Sequence, residues 1–319
     1  MCENRRTCGL CRSRINMIIG FIAICGFIQL AVTSPPRFTN VSKKEIVYLV
    51  RKRVELPCTA QADPEPIYEW RKDGEPLDIT SPDFQREPGT GTIIIPEPVS
   101  RHEGIYQCFA KNMYGTAVGL KTMLKKATLA PFPTMKEPKV HYPTIGEPLV
   151  LRCNPPFSYP KGILYWAESK PGARISAIDN SARVSQDFEG NLYFTNVEAK
   201  DRTDGDGYVC IVNNENLRSL SKGDDEKIYS VSSPGPPTIL RPSVMWTSQP
   251  INIAIKGENL RLKCIFAGYP TPTVKWRRLD APMPPKVNHT SFGQEIVITK
   301  IDETDTGRYE CSATQTWTC

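Results

Sequence analysis

Asp305-Thr-Gly-Arg-Tyr-Glu-Cys311, close to the end of this 319-residue chain, decides how the rest is read. Tyr309 stands two residues before Cys311, and Tyr309-Glu-Cys-Ser-Ala313 alternates side to side as a half-buried strand does. Forty-seven residues upstream, Leu260-Arg-Leu-Lys-Cys264 is again apolar at every second position, and Trp276 follows its cysteine by twelve. The same set occurs twice more, as Cys58, Trp70, Tyr106 and Cys108 and as Cys153, Trp166, Tyr208 and Cys210. Three occurrences at a period near one hundred residues make a repeat.

The repeat implies an all-β chain of tandem two-sheet sandwiches. Val54-Glu-Leu-Pro-Cys58 and Leu149-Val-Leu-Arg-Cys153 carry the same alternation as the third unit. In such a sandwich a disulfide joins the sheets, the Trp stacks on it, and the Tyr hydroxyl ties the chain back in a corner. Closing loops of this length stabilises each unit by about 4 kcal/mol on the chain-entropy model. Asp305-Thr-Gly307-Arg-Tyr309 is the full corner; His102-Glu-Gly104-Ile-Tyr106 lacks the Asp, and Asp204-Gly-Asp206-Gly-Tyr208 displaces the Gly. These six cysteines, three tryptophans and three tyrosines are expected to make the fold and do no chemistry.

Composition narrows the function classes. Eleven cysteines and three histidines disfavour a His-based metal site or a His-dependent hydrolase. Of the net charge of +6, half falls in residues 1–34, and the nearly neutral remainder gives no nucleic-acid signal. Arginines up to Arg14, the apolar run Met17–Ile28 and Ala31-Val-Thr-Ser34 describe a secretory signal peptide over 1–34, with a signal anchor as the rival reading. Either reading puts the rest outside the cytoplasm. Cys8-Gly-Leu-Cys11 is half a zinc motif without the other ligands, read as part of a removed segment, or as a palmitoylation site if the segment is an anchor. Two Pro-rich stretches, Lys125–Pro138 and Ser230–Pro237, divide the remainder into units at 35–127, 128–233 and 234–319.

Longer strings are more specific than the frame. Gly104-Ile-Tyr-Gln-Cys-Phe-Ala-Lys-Asn-Met-Tyr-Gly-Thr-Ala117, Cys153-Asn-Pro-Pro156, Glu189-Gly-Asn-Leu-Tyr-Phe-Thr-Asn-Val197, and Gly268-Tyr-Pro-Thr-Pro-Thr-Val-Lys-Trp276 with Ala281-Pro-Met-Pro284 resemble neuroglian-like neural cell-adhesion molecules of the immunoglobulin superfamily. The resemblance covers about residues 35–314 and implies immunoglobulin-like domains of I-set type from an axonal adhesion receptor. It implies homophilic binding between cells, contact with other immunoglobulin-superfamily adhesion proteins, and a role in axon guidance and fasciculation. It also implies a bend between the second and third domains, where Ser230–Pro237 falls, and a further domain to pair with the first. The purified chain is therefore expected to aggregate beads poorly by itself. After Cys311 the chain reads Ser-Ala-Thr-Gln-Thr-Trp-Thr-Cys319, so the third domain is expected without its last strand and with an unpaired edge, and Cys319 is the odd thiol. A fragment, a splice form and an incomplete gene model all fit this end. The chain is expected on the outer face of the axonal plasma membrane as part of a longer receptor, or secreted if it stops there.

Smaller signals remain. Asn40-Val-Ser42 and Asn288-His-Thr290 are N-glycosylation sequons. Lys222-Gly223-Asp224 imitates an integrin-binding tripeptide and is expected on an exposed loop; its bland reading is a solvated turn. Lys43-Lys44, Arg51-Lys-Arg53 and Arg71-Lys72 make the first unit locally basic, which suits heparan sulfate or merely charged strand faces. Glu69, Arg71, Lys275 and Arg277 alternate around the Trp positions and are expected to point away from the core. Asp204-Gly-Asp206-Gly207 resembles the start of a calcium loop, but Val209 stands where that loop needs Gly. No catalytic motif and no cofactor is read. The competing function is a soluble immunoglobulin protein, either a decoy of the full receptor or a hemolin-like immune factor. A receptor-enzyme ectodomain is a third class, which needs a catalytic domain this sequence does not contain.

Overall fold

A computed structural model describes residues 33–316 apart from 135, 136, 138, 171–173, 204–206 and 230–237. Nearly all of the signal segment, the Ser230–Pro237 linker, Asp204–Asp206 and Cys319 therefore lie outside the described residues. Among the described residues, no helix is long and apolar enough to cross a membrane.

The first sandwich is built from β1 (Ser34–Val41), β2 (Glu45–Tyr48), β3 (Val54–Leu56), β4 (Cys58–Asp63), β5 (Ile67–Lys72), β6 (Ile93–Ile95), β7 (Gly104–Asn112), β8 (Gly115–Val118) and β9 (Thr122–Lys126). One sheet runs β2-β9-β7-β5, with β8 also on β7; β3 pairs with β6, and β1 with β4, opposite it. β9 is antiparallel to β7 and parallel to β2. Period-two alternation puts Leu56, Cys58, Trp70, Ile93, Ile95, Tyr106 and Leu124 into one core. The Trp70 indole donates to the Gly91 carbonyl at 2.7 Å, so its polar edge is satisfied inside that core.

The second sandwich repeats this with β10 (Lys139–His141), β11 (Leu149–Leu151), β12 (Ile163–Lys170), β13 (Val184–Gln186), β14 (Leu192–Phe194), β15 (Gly207–Asn214), β16 (Ser219–Lys222) and β17 (Glu226–Ile228). The sheet β10-β17-β15-β12 faces β11-β14-β13. Trp166 is 2 % exposed, and its indole donates to the Gly190 carbonyl at 2.7 Å. Tyr165 and Ala167 pair with Ile211 and Val209 on the outer side of the first sheet, where they form a second apolar cluster.

The third sandwich comprises β18 (Leu240–Thr247), β19 (Leu260–Tyr269), β20 (Thr273–Arg278), β21 (Val287–Thr290), β22 (Glu295–Ile298) and β23 (Tyr309–Thr314). Its larger sheet runs β18-β19-β22-β21, and β20 pairs with β23. Among the described residues no strand takes the place that β9 and β17 hold in the first two units. Trp276, Tyr309 and Cys311 are accordingly only half-buried.

Candidate interaction surfaces

The six repeat cysteines are joined as Cys58–Cys108, Cys153–Cys210 and Cys264–Cys311, with Cα separations of 6.4, 5.7 and 6.5 Å. Each tyrosine hydroxyl donates to a backbone carbonyl: Tyr106 to His102 at 2.7 Å, Tyr208 to Asp201 at 3.2 Å, and Tyr309 to Asp305 at 2.9 Å. The acceptor is main chain, so the corner forms without Asp in the first unit and without the usual Gly spacing in the second. Burial pushes all three hydroxyls above their ordinary pKa.

A carboxylate braces each corner, and the position that supplies it is not fixed. In the second unit the Arg183 guanidinium grips Asp201 with two bonds of 2.6 and 2.7 Å. In the third, Lys286 reaches Asp305 at 2.7 Å and Asp302 at 2.6 Å. In the first the acid stands on the other side: Asp83 lies 3.3 Å from His102 Nε2 and takes Arg101 at 2.8 Å. Hydrogen bonds from Arg101 and His102 hold the Asp83 carboxyl down at about 2. The corner that lacks the Asp is thus braced by a carboxylate from the other side, Asp83.

Two seams join the units. Between the first and second, Tyr159 donates to Glu45 while the Lys125 ammonium lies 4.1 Å from the centre of its ring. Hydrogen bonding to Glu45 raises the Tyr159 hydroxyl to about 12. Between the second and third, Gly268 N donates to Thr195 O at 3.0 Å and Asn196 Nδ2 to Gly268 O at 2.8 Å. Gln294 Nε2 donates to Ala182 O at 2.9 Å and Lys263 Nζ to Gln186 O at 2.6 Å. Phe188 meets Trp246 edge-on at 5.4 Å and carries the Arg261 guanidinium at 4.9 Å. Lys263 is 3 % exposed, and burial pulls its pKa down. Sequence reading missed this seam, because Asn196, Lys263 and Gln294 are surface residue types that only the neighbouring unit covers.

The outer face of the first sandwich leaves apolar side chains open. Ile67, Val118 and Met123 are 72, 56 and 42 % exposed, and Arg71 lies over Phe109 at 5.1 Å. Glu69, Arg71, Lys275 and Arg277 are exposed. Within the basic stretches of the first unit, Arg53 pairs with Glu55 and Lys72 with Asp73 at 3.0 Å, which offsets part of the positive charge. Asn40 and Asn288 are both exposed, on β1 and β21.

Lys222-Gly223-Asp224 departs from expectation. Lys222 ends β16, Gly223 N donates to Cys210 O at 2.9 Å, and Asp224 is half-buried. Gly119 N makes the same bond to Cys108 O at 2.8 Å in the first unit. The tripeptide is a bulge inside a sheet edge, not a loop tip, because the last strand must shift there to pass from β16 to β17. No group of three metal-ligating side chains occurs among the described residues.

Comparison with known proteins places these features. The immunoglobulin domain model matches residues 35–112 and 241–314. Neural cell adhesion molecule L1 of Homo sapiens is 32 % identical over 296 residues, covering 88 % of this chain and 23 % of that protein. Neuroglian of Drosophila melanogaster is 30 % identical over 294 residues, covering 87 % of this chain and 22 % of that protein. Contactin-1 of Bos taurus is 33 % identical over 270 residues, covering 82 % and 25 %. The chain thus spans about a quarter of the length of these relatives. Among solved structures, the insect immune protein hemolin superposes with a TM-score of 0.75 at 22 % identity, covering 88 % of this chain and 73 % of that one. Immunoglobulin domains 1–4 of Sidekick-1 give 0.63 at 21 %, covering 88 % and 69 %; both likenesses speak to the fold. With the sandwiches, the disulfides and these relatives together, the chain belongs to the immunoglobulin superfamily and is a neuroglian- and L1-like cell-adhesion-molecule member of it.

Proposed function

We propose that this chain is an adhesive ectodomain, delivered outside the cell by a signal in 1–34 and built from domains at 35–127, 128–233 and 234–319. The observation that carries the reading is the identity near 30 % to L1 and neuroglian across about nine-tenths of the chain. It binds copies of itself and other immunoglobulin-superfamily adhesion proteins across two membranes, in axon guidance and fasciculation. Contact through strand faces such as that of Ile67, Phe109 and Val118 is weak per molecule and multiplied by clustering. The half-buried position of Asp224, between β16 and β17, does not support integrin binding, and the acid-paired lysine and arginine of the first unit weaken heparan sulfate as a partner.

The test is cell display. Cells that do not adhere carry the full chain on a lipid anchor and are mixed with labelled cells carrying the same chain or an L1- or contactin-type relative. Aggregates with cells carrying an L1- or contactin-type relative are expected, self-aggregates being the weaker in keeping with the poor bead aggregation anticipated above, and Ile67→Lys is expected to abolish both. Aggregation no better than that of bare cells, with self and with every such relative, overturns the reading.

A further inference from the structure

The outer face of the first sandwich carries its charges in an order that matches itself. Ile67, Glu69 and Arg71 point outward from β5, because Trp70 between them is buried in the core. Across the sheet, Glu69 stands opposite Phe109 of β7, and Phe109 opposite Val118 of β8. Arg71 stands opposite Gln107 and lays its guanidinium over the Phe109 ring. Acid and base thus lie about 7 Å apart along one strand, the rise of two residues, with apolar side chains beside them. Both are exposed, and among the described residues neither is in an ion pair.

The described seams and the sequons leave this face open. The seam to the second sandwich leaves from Glu45 and Lys125, on β2 and β9, across the sheet from β5. The second and third sandwiches meet through Ala182, Gln186, Thr195 and Asn196, on the β13-β14 side of the second. Asn40 is on β1, in the sheet opposite that of β5, and Asn288 is on β21 of the third sandwich. Glycans at either position leave the face bare.

We propose that this face pairs with the same face of a second copy, about a two-fold axis that lies in the interface and crosses β5 between Glu69 and Arg71. That axis sets Glu69 of each copy against Arg71 of the other and brings the two Phe109 rings side by side. A patch that joins a copy of itself must be its own complement, and an acid next to a base along one strand is the simplest such pattern. A partner of uniform charge would gain at one position what it loses at the other. The contact rests on the adhesive reading for its partner, a second copy, and adds to it the register in which the copies meet.

The full chain, secreted from a eukaryotic host, is followed by sedimentation velocity up to its solubility limit. A weak dimer is expected. Glu69→Arg or Arg71→Glu alone should weaken it at least tenfold, since each puts two like-charged pairs across the axis. Mixing the two variants should restore it, because one copy then presents two bases and the other two acids. A chain with both substitutions should pair with itself and not with the unsubstituted chain. Unaltered thermal unfolding shows that the variants fold. A monomer at every concentration, single variants that dimerise as before, or a mixture no tighter than its parts overturns the proposal. Cells that aggregate with cells carrying a relative, while the chain stays monomeric in solution, would sink this contact and leave adhesion standing. A dimer that obeys the charge exchange without any cell aggregation would do the reverse.

Discussion

The second and third sandwiches have the same frame and different interiors. Both have a disulfide, a tryptophan on it and a tyrosine corner. In the second, β17 covers the sheet edge; Trp166 is 2 % and Cys210 5 % exposed. In the third, nothing among the described residues covers it, and Trp276 and Cys311 are half-buried. The frame therefore sets where the sheets stand, while the last strand seals the core. A covalent pin and a stacked indole are local devices that hold two sheets together, whereas dryness requires every slot in the sheet to be filled.

The largest expected effect breaks the two cores in turn. Trp166→Ala should cost the second sandwich about 3–5 kcal/mol, and Trp276→Ala should cost the third clearly less, since part of that ring is already wet. Hydrogen exchange read domain by domain in the full chain separates the two, because a chain of several domains does not unfold in one step. Equal losses would show that the third core is as dry as the second. A smaller effect comes from the corners. Tyr106→Phe removes a hydroxyl that donates inside a closed core and leaves the His102 carbonyl without it, at about 1 kcal/mol. Tyr309→Phe should cost less, because water reaches that corner.

The smallest effect is set by acid. The folded Asp83 carboxyl titrates at about 2 against an ordinary 3.8. A depressed carboxylate contributes stability that is present above 3.8 and lost as the pH falls from there through about 2. The first sandwich should lose protection over that window, and Asp83→Asn should lose this pH dependence while starting less stable. The site is well exposed, so the change is small. A window at higher pH would mean that another group brings it about.

Much of this fold is legible in the order of residues, for a physical reason. Cys58, Trp70, Tyr106 and Cys108 sit on strands whose period of two is written in their neighbours, and the bridge fixes the spacing. Ser312-Ala-Thr-Gln-Thr316 differs from the first unit in lacking the Asn and Gly that turn that unit into its last strands. Hidden features fall into two kinds. The corner acceptors are backbone carbonyls, which have no residue signature. The seam residues Asn196, Lys263 and Gln294 are buried by contacts over seventy residues away in the chain, which no local pattern encodes. Tyr208-Val-Cys-Ile-Val212 did carry a clue, since an unbroken apolar run marks a strand covered on both faces, as the outer cluster shows. Lys222-Gly223-Asp224 misled because a tripeptide says nothing of whether its backbone is already bonded into a sheet.

The first corner bears on how freely such a brace can be rebuilt. Asp83 beside His102 and Arg183 with Asp201 hold equivalent corners with the acid on opposite sides. What the two keep in common is one carboxylate within reach of a nitrogen-bearing side chain; which of the two positions supplies it is free. Counting aspartates at the corner position alone would call the first corner unbraced, whereas the two positions taken together keep their carboxylate.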